Sequence, residues 1–385
     1  MSSLLSRQAR SATTSAIRDL LEHAQRPGMI SLAGGLPDPA RFPVEELATI
    51  AERVLRDDGR RVLQYGLTAG ERDLRDHIVA TTAAAASAEE VVITTGSQQG
   101  LRLLAHVLID PGDRVVVADP EYLGATQAFA QAGGLPVAFP TDADGLDVDA
   151  VETALTDGLR PKFVYLVPHF HNPTGATLAA ERRRRLFELA DRYGFMVLLD
   201  DPYRELYIGA NAPDEDDPHP MAVHLRSTSK VLAPGLRIGW LIGPAWLTTA
   251  VERSKQAVDL HTSTVAQAIV LAALRADWFP PHLDELRAAT GEKRDALCRA
   301  LDDALGERIS FTRPGGGMFV WAALEGVDTT TLLAPALERG VAFVPGGAFA
   351  IHRDLADHLR LSWATASPDE LSEAVSRLAA ALDDL

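Results

Sequence analysis

Cysteine is nearly missing from this chain, with one residue, Cys298, among 385. A single thiol excludes an internal disulfide and a cysteine metal cluster; within a helical pattern it reads as a small core residue. Positive charge is also scarce. Lysine and arginine total 37 against 53 aspartates and glutamates, a net charge of −16. That argues against nucleic acid as a partner and for a solvated, cytoplasmic surface. No apolar run approaches the length of a membrane span, and none follows the basic residues of the N-terminus. Neither a membrane partner nor a signal peptide is expected. No internal repeat is visible.

What remains is the composition of a globular protein, 46% hydrophobic and 23% charged, long enough for two domains. A helical stretch over 14–25 forms an N-terminal arm. Ile30-Ser-Leu-Ala-Gly-Gly35-Leu-Pro follows, a loop suited to bringing backbone N–H groups close to a ligand. From about residue 90, short apolar strands (Val91–Ile93, Arg114–Ala118, Pro136–Phe139, Phe163–Val167, Met196–Leu199, Val223–Leu225, Gly239–Ile242) alternate with helical segments. This rhythm predicts an α/β fold with a mostly parallel seven-stranded sheet between helices. A long helix over 281–305 leads into further strands near 309–312, 318–322, 342–344 and 359–362, a smaller α+β unit. The expected domains are 1–45 (arm and part of the small domain), 46–280 (large domain) and 281–385 (small C-terminal domain). Asp214–Asp217 reads as an exposed acidic loop, and Arg182–Arg185 as a solvated helix face.

Ligands of open α/β sheets bind beyond the carboxyl ends of the strands. After Val91–Ile93 come Gly96-Ser97-Gln98-Gln99, glycine, hydroxyl and amide groups at a helix start. They suit an anion, although many helices begin this way as ordinary caps. After Arg114–Ala118 comes Tyr122, either a stacking face for a flat ring or an ordinary packed aromatic. After Phe163–Val167 comes His169-Phe170-His171-Asn172-Pro173. Asn172 is a donor suited to a phenolic oxygen. The two histidines, alternating with Phe170, are expected to point the same way; a metal pair would lack a third ligand, so no metal is expected. After Met196–Leu199 come Asp200-Asp201-Pro202-Tyr203. A carboxylate ending an apolar strand costs several kcal/mol, by order of magnitude, unless paired, and a pyridinium nitrogen is a suitable partner for Asp200. The alternative, an N-cap aspartate, fits Asp201 better. Tyr203 is a second donor for the phenolic oxygen. After Val223–Leu225 come Ser227-Thr228-Ser229-Lys230, with Arg237 seven residues on. A lysine among hydroxyls is either a structural loop lysine or an amine nucleophile for a carbonyl cofactor. Together these strand ends supply a phosphate cup, a stacking face, phenolate donors, a pyridinium partner and an amine, which jointly match pyridoxal 5′-phosphate (PLP).

The motifs Gly-Ser-Gln-Gln, His-Asn-Pro-Thr-Gly, Asp-Asp-Pro-Tyr-Arg-Glu-Leu and Ser-Thr-Ser-Lys-Val-Leu-Ala-Pro-Gly-Leu-Arg-Ile-Gly resemble those of the class I/II aminotransferases of PLP fold type I. Within them the chain is most similar to the α-aminoadipate/kynurenine aminotransferase-like group, from Leu32 to Trp363. The resemblance implies a transferase that moves an amino group between an L-amino acid and a 2-oxo acid by a ping-pong route. It implies that Lys230 forms the Schiff base with PLP and shuttles the substrate's α-proton. Asp200 would pair with the ring nitrogen, Asn172 and Tyr203 would hold the phenolate oxygen, and Tyr122 would stack on the ring. Ser97, Gln98, Ser227, Ser229 and Arg237 would bind the phosphate. Tyr65 would reach the phosphate of a neighbouring subunit, which implies a homodimer with shared sites.

For the substrate, Arg360 in Leu-Arg360-Leu-Ser-Trp matches the family's carboxylate-binding arginine, whose planar fork fits two oxygens. Asn172 and the Gly34-Gly35 backbone would share that carboxylate. Arg18 on the arm helix is either a reader of an acidic side chain or a surface arginine. The chain departs from the group where His171 replaces a common glutamine and His169 a smaller polar residue. A histidine beside the cofactor leaves room for a second acid/base group. The alternative is thus a PLP enzyme of this fold that carries out oxidation, decarboxylation or γ-substitution. A third reading, a sensor that holds PLP without turnover, is disfavoured by Lys230, Asp200 and Arg360 occurring together.

Overall fold

A computed structural model of the chain describes residues 4, 6, 26–214, 216 and 218–385. The expected arm helix and Arg18 lie outside the described residues.

All seven expected strands join one mixed sheet. We label its strands β1 (Val91–Thr94), β2 (Arg114–Asp119), β3 (Leu135–Asp142), β4 (Gly145–Leu146), β5 (Phe163–Leu166), β6 (Met196–Asp200), β7 (Ala222–Ser227) and β8 (Gly239–Ile242). The spatial order is β1-β8-β7-β6-β5-β2-β3-β4. β8 runs against both its neighbours and β4 turns back on β3; the remaining pairs are parallel. β1, β5 and β6 are buried throughout, as near-continuous apolar runs predict for strands covered on both faces. Tyr165, Leu198, Val223 and Phe129 pack on one face, while Val164, Val197, Leu199 and Leu186 pack on the other. This topology brings the carboxyl ends of β1, β2, β5, β6 and β7, and the entry to β8, to one edge.

The helix Phe279–Leu305 leads to a four-stranded antiparallel sheet. Its strands are β9 (Ser310–Phe311), β10 (Phe319–Ala323), β11 (Val344–Pro345) and β12 (His358–Ser362). A second core lies beneath them, built from Leu301, Val320, Leu361, Trp363 and Leu378, with Cys298 inside it. Ile30–Ser31 pairs with Val341–Ala342, which anchors the following Ala33–Gly35 segment beside this unit. No helix among the described residues is long and apolar enough to cross a membrane.

One expectation fails in this frame. The acidic loop is not wholly solvated, because Asp216 turns inward and bonds Arg226 at 2.6 Å. An arginine ending a buried strand, as Arg226 does, needs such a counter-charge.

Candidate active site

Lys230 is delivered by a single turn at the end of β7. Ser227 Oγ accepts from the Ser229 N–H at 3.0 Å and donates to Ser229 Oγ at 2.7 Å, while Thr228 Oγ1 donates to the Ile238 carbonyl. These bonds spend the hydroxyl-rich sequence on closing the turn and aim the lysine inward. Its Nζ donates to the Gly35 carbonyl oxygen at 2.8 Å. The glycine-rich loop therefore offers the site carbonyl oxygens, where its N–H groups were expected. Burial, then the charges of Arg360 and Arg237, push the lysine pKa down to about 8. A substantial neutral fraction then exists near physiological pH, as an amine nucleophile needs.

Asp200 closes β6 and is 3% exposed. Its Oδ2 accepts from the Tyr165 hydroxyl at 3.0 Å, while its Oδ1 is buried with no partner among the described residues. Burial, with help from the Asp201 and Glu121 charges, pushes its pKa up to about 7 against the opposing pull of Tyr165 and Lys230. A buried carboxylate oxygen with nothing to accept from is costly, and a protonated ring nitrogen is the kind of donor that satisfies it. Tyr165 was not singled out from the sequence, although a hydroxyl in an otherwise apolar buried strand signals a hidden partner.

At the anion end, Gly96 adopts φ 75° just before the helix Ser97–Leu108. A Cβ there would lie 2.3 Å from Arg237 Nη2, so the guanidinium comes right up to the helix start. Arg237 itself has φ 54° and donates to the Thr95 carbonyl at 3.1 Å. Ser97 lies beside Gly239, whose added Cβ would meet Ser97 N at 2.8 Å. The start of the Ser97–Leu108 helix, the Ser227–Ser229 turn that reaches it through the Ser227–Gly239 pairing, and Arg237 form an anion cradle. Gln98 Oε1 accepts from the Tyr122 hydroxyl at 3.1 Å, linking this end to the aromatic face. Burial, then the Asp200 charge, raises the Tyr122 pKa to about 12.

Across the site, Asn172 Oδ1 accepts from Arg360 Nη1 at 2.7 Å, and Nη2 donates to the Ala33 carbonyl at 2.5 Å. Arg360 Nε is buried with no partner among the described residues. The guanidinium packs over Phe319 and Phe349, 4.2 and 4.9 Å from their centroids. Burial pushes its pKa down to about 10, still charged at neutral pH. Among the described residues its hydrogen-bond partners are an amide and a carbonyl, so a buried cation there is matched by no anion. Tyr203 hydrogen-bonds Asn172, and burial first, then Tyr122, raises its pKa. Lys230, Asp200, Asn172, Tyr122, Tyr203, Arg237 and Arg360 are thus brought together. Tyr65 is not; it is 77% exposed and meets His261 edge-on at 5.8 Å.

The two histidines do not point the same way. Phe170 has φ 52°, which breaks the strand alternation. His169 Nδ1 bonds Asp201 Oδ2 at 2.8 Å, whereas His171 Nε2 bonds Glu121 Oε1 at 3.1 Å and its Nδ1 meets Thr174 Oγ1 at 2.9 Å. Asp201 also lies 3.6 Å from Arg204 Nη1, so it is a buried partner of that guanidinium and not an N-cap. Burial opposes its charge, but His169, Arg226 and Arg204 hold its pKa below the usual value. Among the described residues no cluster of three or more His, Cys, Asp or Glu side chains is placed to hold a metal.

The orphan Asp200 oxygen, the amine of Lys230 and the anion cradle fit the nitrogen, aldehyde and phosphate of PLP. The family profile "Aminotransferase class I and II" matches residues 27–378. The 2-aminoadipate transaminase of Thermus thermophilus is 40% identical over 378 residues, 96% of this chain and 94% of that protein. Aromatic-amino-acid aminotransferase 1 of Thermococcus litoralis is 38% identical over 389 residues, 97% and 93% of the two chains. The crystal structure of the Thermus thermophilus α-aminoadipate aminotransferase, complexed with N-(5′-phosphopyridoxyl)-L-leucine, matches with a TM-score of 0.92 at 38% identity. That match covers 100% of this chain and 98% of the other.

Proposed function

The chain belongs to the class I and II aminotransferases, and we propose that Lys230, Asp200 and Arg360 are its catalytic lysine, cofactor-ring partner and substrate-carboxylate clamp. The protein is a PLP-dependent aminotransferase of fold type I, moving an amino group between an L-amino acid and a 2-oxo acid. When bound, PLP supplies an aldehyde for the amine and a ring that draws electrons from the substrate's α-carbon. Ser97, Gln98, Ser227, Ser229 and Arg237 hold the phosphate, Tyr122 covers the ring, and Asn172 and Tyr203 hold its phenolate oxygen. Arg360 grips the α-carboxylate with Asn172 and the Gly35 segment, and Lys230 carries the proton to and from the α-carbon.

The observation that carries the substrate side is the buried Arg360 guanidinium, whose bonding partners are a neutral amide and a carbonyl. We infer that the donors are acidic and aromatic L-amino acids, the classes named for the two relatives. Arg18 is the candidate reader of an acidic side chain. His169 and His171 are bonded to Asp201 and Glu121, so no observation favours other PLP chemistry. A single cysteine and an acidic surface support a cytoplasmic setting.

We also propose a homodimer. Leu63, Tyr65, Leu67, Val258 and Leu260 are exposed around the Tyr65–His261 contact, an apolar patch of the kind that interfaces cover. A second copy would bring its Tyr65 to the phosphate cradle.

The test combines purified protein with PLP, L-2-aminoadipate or L-phenylalanine, and 2-oxoglutarate. Stoichiometric glutamate is expected, with selective loss of the aminoadipate reaction in Arg18→Ala; ammonia or CO2 without glutamate refutes transamination. Light scattering is expected to give a dimer that Leu260→Arg dissociates.

A further inference from the structure

Tyr165 has no place in the roles assigned so far, yet its geometry is specific. It lies on β5 opposite Leu198 of β6. Asp200 is two residues beyond Leu198, so both side chains emerge on the same face, in the diagonal relation that an aromatic side chain can span. The phenol is wholly buried, with Phe129 edge-on at 5.3 Å, and its hydroxyl donates to Asp200 Oδ2 at 3.0 Å. Oδ2 is therefore partnered, and Oδ1 is the oxygen that has no donor among the described residues.

We propose that Tyr165 is a positioning residue for the cofactor. It anchors Oδ2 so that Asp200 presents Oδ1 to the ring nitrogen as an ionised, correctly turned acceptor. This rests on the reading of Asp200 as the ring partner. Tyr165 touches neither cofactor nor substrate and acts through the carboxylate. Hydrogen bonds to charged groups stabilise the charged form, and the Tyr165 bond opposes the burial that drives Asp200 towards its neutral form. Burial also raises the Tyr165 pKa well above its usual value, so the phenol remains a donor throughout the working pH range.

The experiment titrates the apoenzyme at pH 8 with PLP and, separately, with a carbocyclic analogue in which C–H replaces the ring nitrogen. Tyr165→Phe keeps the ring packing and removes the hydroxyl. The expected result is PLP binding weakened about ten- to a hundredfold, with analogue affinity unchanged within about twofold. The positioning role is overturned if PLP affinity is unchanged, or if both ligands weaken alike, which marks a merely structural phenol. Asp200→Asn separates the underlying reading. If it leaves PLP affinity intact, Asp200 is not the ring partner and both proposals fall. If Asp200→Asn weakens PLP and Tyr165→Phe does not, only the Tyr165 role falls.

Discussion

Asp200 is held in a form that is bad for the fold, and the size of that cost can be measured in the cofactor-free protein. Burial lifts its pKa from 3.8 to about 7. Ionising it inside the fold at pH 8 therefore costs roughly 4 kcal/mol relative to the unfolded chain, at about 1.4 kcal/mol per unit. Asp200→Asn removes that term, accepts the Tyr165 hydroxyl on its amide oxygen, and leaves a buried N–H2 group unpaired, at about 1–3 kcal/mol. The apoenzyme variant should be more stable than wild type by about 2 kcal/mol at pH 8, a shift in Tm on the order of a few degrees. The sign follows from a folded pKa raised above the unfolded one. Between pH 3.8 and 7 the folded carboxyl keeps a proton that the unfolded chain has lost, so wild-type stability falls as pH rises through this window. At pH 5 about 3 kcal/mol of the penalty is gone, and the advantage of the variant disappears. With saturating PLP the order reverses, because wild type alone offers the ring nitrogen a carboxylate and gains more from ligand binding. Thermal scans of both proteins, without and with PLP, at pH 5 and pH 8 test this. A variant apoenzyme no more stable than wild type at pH 8, or equally advantaged at both pH values, refutes the reasoning.

The pKa of Lys230, pushed down to about 8 by burial and two arginines, has a kinetic consequence. The rate of PLP capture by the apoenzyme should climb with pH and level off just above pH 8, as measured by stopped-flow absorbance; a climb persisting to pH 10 would show an unperturbed amine. Arg360→Lys keeps a charge but loses the planar fork. It should lower kcat/KM for amino donors by about thirty- to a thousandfold, equivalent to roughly 2–4 kcal/mol, with PLP affinity retained; steady-state kinetics beside a PLP titration checks both halves.

The parts of this site legible in the sequence are those whose signal is local. β5 and β6 are near-unbroken apolar runs, so their ends are visible and the charge of Asp200 stands out. Lys230 stands out for a different reason, as a single amine crowded by hydroxyl residues after a short strand. Arg360 was legible as a cation inside an apolar strand of the smaller sheet. The errors arise where a local rule meets a special backbone. Alternation predicted that His169 and His171 would point together, but it assumes extended geometry, and φ 52° at Phe170 removes that assumption. The Leu32–Leu36 loop looked like a source of N–H donors, yet Lys230 and Arg360 bond its carbonyl oxygens. Two cations already at the site decide which end of the peptide is useful, and they come from residues about two hundred and three hundred positions away.

Tyr165 marks the boundary between the two kinds of information. Its own strand shows only that a phenol is buried and in need of an acceptor. The acceptor is identified by register, since Leu166 faces Leu199 and Tyr165 faces Leu198, which leaves Asp200 one diagonal step away. A shift of one residue in that pairing would turn Asp200 to the opposite face, away from the phenol and the amine together. The chemistry at the sheet edge thus depends on strand register, which the Val, Leu and Phe side chains of β5 and β6 set by packing.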